Sequence, residues 1–314
     1  MVNSAADSKK YVPLVLVCLV AQNAGLVLLT KYSFRATSTA YNQGAVILFA
    51  ELLKLLACTG VEFISSNYSA VGVAKSLKWS HSNLFMLLPA SLYVVQNVLQ
   101  LSAIHGLSPV VFITGAQLKI PTSAFFSFVI LGRRLSKRQL LSIPLLTFGV
   151  AVVQLEQGNR IHDLSVDLNR SVGPFISLLV AVTISGLAGA MLERAFKSSD
   201  GTVWIKNIFL SLFSLPSAVY YAFRAGVHSE SLYSHSILNG FDEIVVAIVL
   251  LLAFGGLISA LVMKYAGTLT KCYAVSLSIV ICTTVSVLKG MQILDVTVLT
   301  GMTMVMAAVF MYAS

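Results

Sequence analysis

The residues of this chain with the most chemical potential carry charge or hydrogen-bonding groups in otherwise oily surroundings. Lys119 stands inside the run Thr114-Gly115-Ala116-Gln117-Leu118-Lys119-Ile120-Pro121-Thr122. A lysine at the centre of a membrane helix costs about 2.5–3.5 kcal/mol on insertion scales, so it is expected to face a water-filled cavity or an anion. Pro121, two residues on, frees the backbone carbonyl near Gln117 and weakens the helix there. Tyr93, Gln96 and Asn97 recur at i, i+3 and i+4 in another apolar run. Such a stripe either glues helices together or lines a cavity. Lys271 opens a run that continues through Tyr273, Ser276 and Ser278, and a lysine at a helix end snorkels to the interface by default. Asn207 and Glu193 complete the polar set. Glu51 and Lys54 share one helix face at i and i+3 and read as a structural ion pair, neutral within the bundle. That leaves Lys119 for an anionic ligand.

No catalytic constellation emerges. The chain has no HExxH, GxSxG, P-loop or paired intramembrane aspartates, and its five histidines fall in loops or at span edges. The four cysteines, Cys18, Cys58, Cys272 and Cys282, lie in apolar runs without metal-site spacing. Neither an enzyme, a metal nor a cofactor is expected. Rare buried cations without a nucleophile favour carrying an anion over transforming it.

The elements that position these residues follow from composition. Of 314 residues, 57% are hydrophobic and 11% charged, with mean hydropathy +0.87. A soluble domain has about a quarter charged residues. This excludes a soluble enzyme and a nucleic-acid binder and points to a multi-pass helical protein in a lipid bilayer. Ten stretches reach the ~20 residues that cross a bilayer. They run approximately 11–30, 41–62, 83–104, 108–131 and 138–155, then 172–193, 202–223, 241–265, 270–290 and 294–313. With a cytosolic N-terminus, Lys31, Arg35, Arg160, Arg170, Arg224 and Lys289 fall on the far side, and Lys54 and Lys119 fall within helices. The other 13 of the 21 basic residues, Lys206 among them, then face the cytosol. The positive-inside rule therefore puts both termini there, and the net charge of +9 is mostly topology.

A weak internal likeness relates Gly132 and Gly149 to Gly290 and Ala307 at a common spacing of 17 residues. Five spans per half make a duplicated half insert upside down. Residues 1–155 and 156–314 then form two inverted five-helix repeats of one integrated transmembrane domain. In that arrangement the span of Lys271 is the counterpart of the span of Lys119. Each would bring one lysine toward a shared cavity, and two lysines suit a phosphate or diester.

At these residues the chain resembles the nucleotide-sugar transporters of the drug/metabolite transporter superfamily, and most of all the branch carrying CMP-sialic acid and UDP-galactose. The likeness covers nearly the whole sequence. It is carried by Glu51-Leu52-Leu53-Lys54, Tyr93-Val94-Val95-Gln96-Asn97, Gln117-Leu118-Lys119-Ile120-Pro121-Thr122 and Trp204-Ile205-Lys206-Asn207. Gly255-Gly256-Leu257, Met263-Lys264-Tyr265, Lys271 and Ser276-Leu277-Ser278 add to it. The resemblance implies ten helices in two inverted halves, a Golgi membrane, and exchange of a nucleotide sugar for the nucleoside monophosphate. By it, Tyr93, Gln96 and Asn97 contact nucleobase and ribose, Lys119 and Lys271 hold the phosphate, and Asn207 approaches the ligand. The branch usually shows Tyr-Gln-x-x-Tyr-Gln-Leu-Lys before the span 4 lysine. Here Phe112 and Ala116 stand where its tyrosines would be, and Ser211 and Phe213 replace other polar positions. These departures bear on the sugar more than on the nucleotide.

The expected function is thus alternating-access import of CMP-sialic acid, or a similar CMP-sugar, into the Golgi lumen in exchange for CMP. Transport of UDP-galactose or UDP-N-acetylglucosamine is the alternative, with general metabolite export by the same fold a further one. The implied partners are the nucleotide sugar, CMP and the bilayer, with a homodimer left open.

Overall fold

The structure, a computed structural model, describes residues 5–36, 41–69, 71–73, 77, 80–106, 112, 115–158, 168–198, 201–227, 238, 240–288 and 295–313. Among these residues it is helical throughout, with no strand. The helices are α1 (Ala5–Ala36), α2 (Gln43–Ser65), α3 (His81–Leu84), α4 (Leu87–Gly106), α5 (Lys119–Leu131) and α6 (Lys137–Gly158). They continue with α7 (Leu168–Lys197), α8 (Val203–Val227), α9 (Glu243–Tyr265), α10 (Thr268–Leu288) and α11 (Val296–Ala313). Long apolar runs take this form because a helix satisfies its own backbone where lipid offers no partner. Large side chains such as Phe125, Phe128, Phe148 and Phe310 point outward, which is the expected dressing of a lipid-facing surface.

Helix starts are set by local chemistry. Asn42 caps α2 by accepting from Ala45 N at 3.1 Å, and Asp242 caps α9 by accepting from Val245 N at 2.8 Å. Ser136 and Gln139 make a reciprocal capping box at the start of α6.

The helices sort into two compact units. The first comprises Met1–Ser91 and Ala195–Ala266. Within it α2 packs on α8 and α1 on α9, around Val46, Ala50, Val245, Ile248, Val249 and Ala253. The α2–α8 approach is close because Gly44 has no side chain: a Cβ there would lie 2.5 Å from the Tyr221 carbonyl. Asn42 Nδ2 adds a bond to Ala222 O at 2.7 Å. Asn42→Ala removes both the cap and this tie. It is expected to lower stability by about 1–2 kcal/mol, read as a reduced thermal midpoint in detergent.

The second unit comprises Leu92–Arg194 and Gly267–Ser314. Here α6 packs on α11 and α5 on α10, around Ile120, Leu146, Val150, Leu269, Tyr273, Val305 and Tyr312. Ala103 of α4 joins Leu178 and Val182 of α7. Gly149 and Gly301 face one another, each placing its absent Cβ within about 3 Å of the other helix's backbone. Gly149 thus meets Gly301, not Ala307, the position aligned with it by the 17-residue spacing.

Among the described residues, seven helices are long and apolar enough to cross a membrane: Val12–Thr30, Gln43–Ser65, Val172–Lys197, Val203–Phe223, Glu243–Tyr265, Thr268–Leu288 and Val296–Ala313. Two of the three other expected spans appear with shorter apolar stretches, Leu87–Gln96 and Lys119–Leu131. The third coincides with α6. The largest departure is at span 4, expected over 108–131 with Lys119 at its middle. The observed helix begins at Lys119, and residues 107–111, 113 and 114 lie outside the described set.

Candidate functional site

The break before α5 has a local cause. Pro121 has no N–H to return to Gln117, and the chain turns through Gln117 and Leu118 before the helix starts. Lys119 is therefore the first residue of a helix, with its side chain exposed. Among the described residues no carboxylate pairs with it. At this start Ile120 N donates to Gln117 O at 3.0 Å and Thr122 N to Leu118 O at 3.1 Å, so the positive charge offered here is that of the Lys119 ammonium itself. Lys271 stands at a second helix start. It lies in the first turn of α10, half-buried.

One helix, α7, seats both of these starts. Thr122 Oγ1 donates to Val182 O at 3.0 Å, and Gly186 lies so close that its Cβ would stand 2.7 Å from the Thr122 backbone. One turn further along α7, Thr268 Oγ1 donates to Gly189 O at 3.0 Å and Thr268 N to Glu193 Oε2 at 2.6 Å. The small-residue stretch Ser185-Gly186-Leu187-Ala188-Gly189-Ala190 allows this approach. That stretch was the readable signal for α7's role, and the expectations above did not use it.

Both lysines converge on Cys272. Its thiol lies within electrostatic reach of Lys119, Lys271 and Glu193, and within hydrogen-bonding reach of Ser123. Ser123 in turn donates to Lys119 O at 2.6 Å. Tyr93 of α4 is a further neighbour of Cys272. Tyr93, Lys119 and Lys271 are thus all electrostatic neighbours of Cys272, which with Ser123 was passed over in the sequence reading. Gln96 is 8% exposed, and its Oε1 has no hydrogen-bond partner among the described residues. The Asn97 side chain lies outside the described set.

The remaining site candidates belong to the first unit. Asn207, 2% exposed, turns its amide back to Val203 O at 3.0 Å. Lys54 Nζ lies 2.6 Å from Glu51 Oε1, while Glu51 Oε2 accepts from Ser214 Oγ at 3.0 Å. The Lys54 stem runs over Gly256, where a Cβ would stand 2.7 Å from Lys54 Cδ. Lys206, counted on the cytosolic side by the charge reading, is 1% exposed and donates to Ala195 O, Ser198 O and Ser198 Oγ. A lysine can be buried this way when backbone carbonyls at a helix end replace its water.

Membrane-length helices that bury charged and polar side chains between them mark a polytopic membrane protein. The chain belongs to the nucleotide-sugar transporter family, whose profile matches residues 7–313. It is 34% identical over 312 residues to a UDP-galactose transporter of Schizosaccharomyces pombe, an alignment covering 96% of this chain and 87% of that protein. It is 32% identical to a Caenorhabditis elegans UDP-N-acetylglucosamine/UDP-N-acetylgalactosamine transporter, covering 99% and 96%. It is 33% identical to the mouse UDP-galactose translocator, covering 97% and 78%. A crystal structure with 12% identity shares the fold at a TM-score of 0.70, covering 96% of both chains. The protein is accordingly a membrane transport protein and not an enzyme.

Proposed function

We propose that the chain is an antiporter that brings UDP-galactose or UDP-N-acetylglucosamine from the cytosol into the Golgi lumen in exchange for UMP. The observation that carries the phosphate site is the convergence of Lys119 and Lys271, each at a helix start, on Cys272. Two ammonium groups match the two negative charges of a pyrophosphate bridge and replace the water it loses on entering. Tyr93 and Gln96 serve the nucleoside end, and Gln96 Oε1, without a hydrogen-bond partner among the described residues, is suited to accept from a base or ribose donor. Bound phosphate also offsets the repulsion between the two lysines, so the loaded carrier reorients faster than the empty one. That difference makes the carrier an exchanger.

The cargo departs from the sequence expectation of CMP-sialic acid and CMP. The relatives named above carry UDP-sugars, and they align over nearly the whole chain. This favours the reading first held as the alternative.

Ten spans in two inverted five-helix halves complete the proposal, with both termini cytosolic. Numbering the spans α1, α2, α4, α5, α6, α7, α8, α9, α10 and α11, five packed pairs are 2 with 7, 4 with 9, 5 with 10, 1 with 8 and 3 with 6. Exchanging span n with span n+5 carries each of these five pairs onto itself or onto another of them, while the packing of span 2 on span 8 stands outside that pattern. A single offset of 152 residues also relates Lys119 to Lys271, Gly115 to Gly267 and Gly149 to Gly301. Both features support a duplicated, inverted half.

The test is uptake of labelled UDP-galactose and UDP-N-acetylglucosamine into proteoliposomes preloaded with UMP, CMP or nothing. UMP inside is expected to accelerate uptake by an order of magnitude over CMP. Acceleration by CMP of labelled CMP-sialic acid uptake, with UMP inert, would return the cargo to the first expectation.

A further inference from the structure

We propose that Glu193 is a positioning residue for the phosphate site: its buried carboxylate fixes the first turn of α10 and so sets where Lys271 presents its charge. The proposal rests on the phosphate-binding reading of Lys271 given above and assigns a role to a residue outside that site.

The first turn of α10 is gripped from several sides. Glu193, fully buried on α7, accepts the Thr268 N–H at 2.6 Å, while Gly189 O accepts the Thr268 hydroxyl. Arg133, in the α5–α6 connection, donates from Nη2 to Tyr312 OH at 3.1 Å, and that hydroxyl lies 3.4 Å from Thr270 Oγ1. The Tyr312 ring stacks on Tyr273 at 4.1 Å, and the Tyr273 hydroxyl meets Ser142 of α6. Positions 268, 270 and 273 are therefore held by α7, α6 and α11, while Lys271 and Cys272, between them, face the Lys119 neighbourhood.

Glu193 is the member of this grip that brings a full negative charge to the helix start. A carboxylate there takes an otherwise unsatisfied N–H and meets the positive end of the helix dipole. Gly267 makes the meeting possible. Its φ of +96° turns the chain into α10, and a Cβ on it would stand 2.6 Å from Glu193 Oε1 and 2.9 Å from Arg133 Nη1. Acid, guanidinium and helix start thus meet where a side chain would otherwise be. The bond to Thr268 N–H is the mechanical element of this arrangement, and a neutral amide oxygen placed at the same point serves it too.

The experiment compares Glu193→Gln, Glu193→Ala and Glu193→Asp in the full chain, reconstituted in proteoliposomes. Two readouts are taken: KM and maximal rate for UMP-driven exchange, and the rate at which a maleimide alkylates Cys272, followed by peptide mass spectrometry. E193Q keeps the acceptor and is expected to stay within about twofold of the parent in KM. E193A loses the acceptor, and E193D retracts it by a methylene. Both are expected to raise KM about 10-fold with a smaller change in maximal rate, as losing an orienting partner does elsewhere, and both change the Cys272 alkylation rate. If E193A does not fold, E193D against E193Q carries the comparison. The proposal is overturned if E193Q and E193D are equally impaired, or if every variant keeps the parental KM and only thermal stability falls. If the parent exchanges no nucleotide yet Cys272 alkylation still separates E193Q from E193D, the transport reading falls and the positioning of α10 by Glu193 stands.

Discussion

Lys119→Ala is expected to slow exchange of a UDP-sugar for UMP by about 10- to 100-fold at subsaturating substrate. A hydrogen bond to a charged group contributes roughly 1.5–3 kcal/mol, and each 1.36 kcal/mol is a factor of ten. The loss should appear chiefly in KM, because the ammonium group meets phosphate in the bound carrier as well as in transit. Folding should be spared, since Lys119 is exposed and forms no ion pair among the described residues. An unchanged elution profile in detergent checks this. Lys119→Arg restores charge but not geometry, because a planar fork replaces a compact donor at a helix start, so it should recover only part of the rate. Lys271→Ala should resemble Lys119→Ala. The double variant should fall short of the product of the two, since both lysines act on one phosphate. Parental uptake by the Lys119→Ala protein would remove the phosphate assignment altogether.

Gly44→Val is the second large effect and acts on the fold. A Cβ at this position falls 2.5 Å from both the carbon and the oxygen of the Tyr221 carbonyl and 2.6 Å from Ala222 N. These are backbone atoms of a neighbouring helix and have no rotamer into which to retreat. Overpacking costs typically 1–3 kcal/mol when side chains can yield. Here α2 and α8 must move apart instead, which also strains the Asn42–Ala222 bond. Loss of monodisperse protein from detergent extracts is the expected outcome. Gly60→Ala, on the same helix, is the control. Nothing lies within 4 Å of its Cβ position, so the change should be neutral or stabilising by about 0.5–1 kcal/mol. Equal behaviour of the two variants would contradict the α2–α8 crossing.

Most helices were legible because lipid imposes a simple rule: a run of about 20 apolar residues has to satisfy its own backbone. The start of α5 was not. Hydropathy carries no information about where a helix is interrupted; only Pro121 pointed to the turn at Gln117 and Leu118, which separates helical Gly115 and Ala116 from α5. The burial of Lys206 was illegible for a related reason. Its partners, Ala195 O and the Ser198 carbonyl and hydroxyl, are mostly backbone groups that any sequence could offer. Lys119 stood out because a cation in an apolar run is rare, whereas Cys272 and Ser123 are ordinary residues there and take meaning only from their neighbours. The base of the nucleotide was beyond reach. A glutamine amide such as Gln96 both donates and accepts, so it suits uracil and cytosine alike, and two lysines greet any phosphate.

Gly44 leans on Tyr221, and Asn42 on Ala222, across a long stretch of chain. The second helix ends at Ser65 and the eighth begins at Val203, so roughly 140 residues are polymerised in between. At ribosomal speeds of about 5–20 residues per second, that delay is on the order of ten seconds. The helix that Gly44 fits is thus synthesised well after Gly44 itself, so this contact forms late in the making of the chain.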